Sequence, residues 1–207
     1  MTPPEGQPVQ VAVLMYPGVS ELDVGLMLGL LRSLDVPERV GTPDAAAVTV
    51  ARTRGSLLCA GGLVSTPQVM FAAAPPLAAV LIPGGLGAQK AGRDALIREF
   101  LSQQAAKRVP LGICGSGVLL AGEAGLLRNR DVGCAPELSE TVWGYSPADL
   151  QPGETVADEQ PGAAALYSGP GGLAALPVLL RLAERLWPAE AVARAATLIG
   201  VPQQALR

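Results

Sequence analysis

Cys114 is the residue best placed to do covalent chemistry, because it stands where an apolar run gives way to a glycine-rich turn, PLGICGSGVLLAGEAGLL (Pro110–Leu127). Val109, Leu111 and Ile113 suit a short buried strand, and Val118–Leu127 has the apolar spacing of a helix. Gly112, Gly115 and Gly117 let the backbone bend sharply between the two. A thiol at such a junction faces the unpaired N–H groups of a helix start, which favour the thiolate, the reactive form. The arrangement is the cysteine version of a nucleophile elbow. The same residue also suits a plain role as a small apolar packing group.

Asp23 is the natural partner for that thiol. It follows the exit loop of the first predicted strand, and a partly desolvated carboxyl there could stay protonated and donate a hydrogen bond. Ser20-Glu21-Leu22-Asp23 also fits the S-x-x-D pattern of a helix start, so Asp23 has an equally good structural reading. Glu21 is the fallback acid. Gly84 and Gly85, after the run AAVLI (Ala78–Ile82), could aim a backbone N–H at the thiol. With the N–H of Gly115 this would make an oxyanion hole; without it, Pro83-Gly84-Gly85 is a turn. Ser116 could touch a substrate or help satisfy the first helical turn. Gly169-Pro170-Gly171-Gly172 lacks the lysine and Ser/Thr of a phosphate loop and reads as a tight entry to a helix.

The chain contains no histidine, which excludes any Ser-His-Asp or Cys-His relay and the commonest metal ligand. Three cysteines with no ligand spacing point to neither a disulfide framework nor a zinc site; Cys59 and Cys134 read as packing residues. No metal and no cofactor is expected. A formal charge of −3 with no basic stripe speaks against nucleic acid. No apolar run approaches the roughly 18 residues of a membrane span, and the N-terminus lacks a signal-peptide pattern, so a cytoplasmic location is expected.

The elements needed to hold these residues alternate along the chain. Strands are predicted over Val9–Met15, Val48–Arg52, Ala78–Ile82, Val109–Ile113, Val132–Cys134 and Ala163–Ser168, with a hairpin from Ser56–Cys59 and Leu63–Ser65. Helices are predicted over Leu22–Leu34, Asp94–Lys107 (Leu96, Phe100 and Leu101 inward), Val118–Leu127, Glu137–Val142, Leu173–Leu186 and Ala189–Leu198. This is an α/β three-layer sandwich with a mostly parallel central sheet, of flavodoxin-like type. Residues 1–8 read as a disordered or extended tail and 9–207 as one domain. In such sheets the site lies beyond the carboxyl ends of the strands, where Tyr16–Asp23, Pro83–Gly87 and Ile113–Gly117 converge. The polar stretch Ala135–Pro161, with Trp143 and Tyr145, is expected to wall that site or a dimer contact.

VAVLMYPGVSELDV (Val11–Val24), LIPGG (Leu81–Gly85), ICGSGVLLAGEAGLLRNR (Ile113–Arg130) and LYSGPGGLAALPVLLRLAER (Leu166–Arg185) resemble the ThiJ/PfpI superfamily, of class I glutamine-amidotransferase-like fold. The resemblance is nearest to isocyanide hydratases and the N-terminal domain of AraC-type regulators. It implies Cys114 as nucleophile, Asp23 as acid, Gly85 and Gly115 as oxyanion donors, a small carbon–nitrogen substrate and a homodimer. Two readings without turnover stand beside it: a redox-responsive or ligand-binding protein in which the Cys114 thiol is oxidised, and a degenerate dimeric scaffold. GLLRNRDVGCAPE (Gly125–Glu137) departs from the related GLLDGRRATTHW, with Ala135 at the histidine position, and Gly115 stands where a threonine usually follows the cysteine. With the chain ending at Arg207, no helix-turn-helix domain is expected.

Overall fold

The computed structural model describes residues 9–34 and 45–202. The tail predicted over residues 1–8 lies outside the described residues. Eleven strands are described: β1 (Val9–Leu14), β2 (Ala45–Ala51), β3 (Leu57–Leu58), β4 (Val64–Ser65), β5 (Val69–Met70), β6 (Ala79–Ile82), β7 (Leu111–Cys114), β8 (Asp131–Cys134), β9 (Asp149–Pro152), β10 (Val156–Asp158) and β11 (Leu166–Gly169). Seven α-helices accompany them: α1 (Glu21–Leu34), α2 (Ala88–Gly92), α3 (Ala95–Ala106), α4 (Gly117–Glu123), α5 (Ser139–Trp143), α6 (Leu176–Leu186) and α7 (Ala189–Leu198).

The main sheet has the order β10-β11-β7-β6-β1-β2-β5. All its pairs are parallel except β10 with β11. Its central strands are apolar without alternation because helices cover both faces. In β6 and β7 every residue is buried. The α/β sandwich expected from the sequence is therefore the fold observed. β1, β6 and β7 end side by side, and the loops after them form the floor of the site.

Local signals explain the helix boundaries. Asp94 caps α3 by accepting from the Leu96 N–H at 2.9 Å, a contact of about 1 kcal/mol. The buried face of α3 is Ile97, Phe100, Leu101 and Gln104 rather than the expected trio with Leu96. Those four span a narrow arc at 100° per residue, and Leu96 falls about 90° off its centre. The elbow helix α4 stops at Glu123 instead of Leu127. Gly125 takes φ +74° just beyond its end, and the Leu126 N–H closes back on the Ala121 carbonyl at 2.9 Å, a left-handed C-cap.

The stretch Ala135–Pro161 folds into α5, β9 and β10. β9 pairs in parallel with β8 as a separate ribbon, while β10 becomes an edge of the main sheet. Tyr145 does not wall the site. Its ring covers Gly122 near the far end of α4, and its hydroxyl donates to Glu123 Oε1 at 3.1 Å. Trp143 is exposed. No helix among the described residues is long and apolar enough to cross a membrane.

Candidate active site

β7 runs one residue further than the sequence suggests, and this decides the geometry of the elbow. Cys114 is the last strand residue, in register with Gly169 of β11. It shares the sheet face of Gly112, which meets Leu182 and Val178 of α6. Its side chain has no solvent exposure. The turn itself is made by Gly115, at φ +53°, and α4 begins two residues later. In a nucleophile elbow the reactive side chain occupies the sharp strand-to-helix turn, where the backbone holds it clear of the sheet. Here that position carries a glycine.

The space above Gly115 is closed. A Cβ on Gly115 would lie 3.0 Å from the Cα of Gly171 and 3.2 Å from its nitrogen. Burial, and then the nearby Asp23 charge, push the Cys114 thiol well above the usual range.

The expected oxyanion donors are also engaged. The Gly115 N–H donates to the Gly169 carbonyl at 2.9 Å, continuing the β7–β11 ladder. The Gly85 N–H donates to Ser116 Oγ at 2.9 Å, and that hydroxyl donates back to the Gly85 carbonyl at 3.0 Å. Ser116 does not cap α4 through its side chain; it ties the β6 exit to the elbow.

Between the two acids, the structure places Asp23 at the elbow and Glu21 elsewhere. Asp23 is buried in the first turn of α1. Its Oδ2 accepts from the Gly84 N–H at 2.8 Å and its Oδ1 from the Gly172 N–H at 2.8 Å. The helix start is capped by Ser20, whose Oγ accepts from the Asp23 N–H at 3.2 Å. This leaves the Asp23 carboxylate free to bridge the loops after β6 and β11. Glu21 instead accepts from Gly61 N–H at 2.9 Å and Leu63 N–H at 3.4 Å, holding the β3–β4 hairpin. Its carboxyl is held below the usual range by backbone N–H groups, first its own and then that of Gly61.

Other contacts at this end, not foreseen from the sequence, lock the same loops. Tyr16 is buried, and its hydroxyl donates to the Pro83 carbonyl at 2.7 Å. Ser20 N–H donates to Gly84 O at 2.8 Å, and Gly87 N–H to Gly18 O at 3.1 Å. The only sequence sign of this packing is the density of glycine in all four loops.

Comparison with known proteins agrees with the fold. An isonitrile hydratase of Pseudomonas putida is 29% identical over 182 residues, covering 86% of this chain and 72% of the hydratase. A ThiJ/PfpI family protein from Pseudomonas syringae superposes with a TM-score of 0.80 at 23% identity, covering 93% of this chain and 74% of that one. Drosophila melanogaster DJ-1beta gives a TM-score of 0.80 at 17% identity, over 95% of this chain and all of its own. Residues 9–165 match the DJ-1/PfpI family, and with the parallel sheet and the strand-to-helix elbow just described, the chain belongs to that family.

Proposed function

We propose that this protein is a DJ-1/PfpI family member that performs no thiolate chemistry at its elbow and acts as a binding or scaffold protein. One observation carries this reading: the left-handed turn holds Gly115, while Cys114 lies fully buried one position earlier. A nucleophile must approach its electrophile to about 3–3.5 Å. No sulfur in such a position can do that without the surrounding loops parting. The redox-responsive alternative meets the same obstacle, since thiol oxidation follows thiolate character and exposure.

A second reading is a cysteine-dependent hydratase of a small carbon–nitrogen substrate such as an isocyanide. It is favoured by the 29% identity to isonitrile hydratase. In that case Cys114 would attack the electrophilic carbon and Asp23 would supply the proton, with the loops opened by substrate. Homodimerisation, and a small-molecule ligand for the family fold, belong to either reading. The dimer would sediment at twice the 21.1 kDa of one chain.

Isocyanide hydration by the purified protein, measured beside Cys114→Ser, separates the two. The non-catalytic reading expects wild type and variant to match the buffer background. Formamide production by wild type that disappears in a folded Cys114→Ser variant would overturn it.

A further inference from the structure

We draw no further inference here: the strongest candidate, the open apolar groove between α1 and α7 that Leu22, Gly25, Leu26, Gly29 and Ile199 line beside the Glu21 carboxylate, carries nothing because nothing in the structure shows what covers it.

Discussion

Cys114 and Gly115 are adjacent in the chain but occupy opposite roles at the end of β7. One continues the pleat into the covered face of the sheet; the other takes the left-handed turn that starts α4. Replacing Gly115 by alanine should destabilise the protein by about 1–3 kcal/mol, because a non-glycine residue is strained at φ +53°. The 3.0 Å approach of Gly171 would add to that cost. Urea denaturation checks it, and an unchanged midpoint would mean that the turn relaxes freely. The sequence displays the elbow composition without its phase. C-G-S-G contains a thiol beside the turn, and only the strand register says which residue makes the turn. A one-residue slip reverses the side of the sheet to which a residue points, so the end of β7 decides where the Cys114 side chain lies. Asp23 was legible as one of two acids near the elbow. Its two backbone partners were not, because they come from loops 61 and 149 residues away.

At the scale of elements, the strand-helix alternation was readable because buried parallel strands are continuous apolar runs, as in β1 and β6. The two-residue β5 and the short β9 and β10 were missed, since edge and ribbon strands need no such run. The β3–β4 hairpin was foreseen, but not its tether to α1 through Glu21. That tether carries a pH dependence. The folded carboxyl lies below its unfolded value of about 4.3, so the ionised contact is fully present above that value. It is lost as pH falls through the lower folded value. The Gly61 and Leu63 amides should therefore keep their protection relative to intrinsic exchange through neutral pH and begin to lose it below about pH 4. Glu21→Gln should flatten that acid-side response. Identical profiles for wild type and variant, followed by NMR, would show that the hairpin is held by its own bonds alone.

Over the whole molecule, the separate β8–β9 ribbon must be joined to the main sheet, and a buried ion pair does this. Arg130 Nε donates to Asp158 Oδ2 at 2.9 Å, with side chains 10% and 3% exposed. Arg130 also donates to the carbonyls of Asp158 at 3.1 Å and Ala164 at 2.8 Å, and the Asp131 N–H donates to Asp158 Oδ2 at 2.8 Å. Arg130 leads into β8 and Asp158 ends β10, so the cluster fixes ribbon to sheet edge, beside the Gly133 N–H that donates to Ser168 Oγ of β11 at 2.9 Å. Removing one partner strands the other charge in the interior. Arg130→Met or Asp158→Leu alone should therefore cost about 3–5 kcal/mol, roughly 6–20 °C in Tm for a chain of this size. The double replacement leaves no buried charge and should recover much of that loss. It should not recover all, since the Ala164 carbonyl and the Asp131 N–H would still lack their partners. Thermal unfolding of the four proteins, followed by circular dichroism, closes the cycle. If the single losses simply add in the double variant, the pair is not coupled, and the ribbon is held by its backbone and apolar contacts instead.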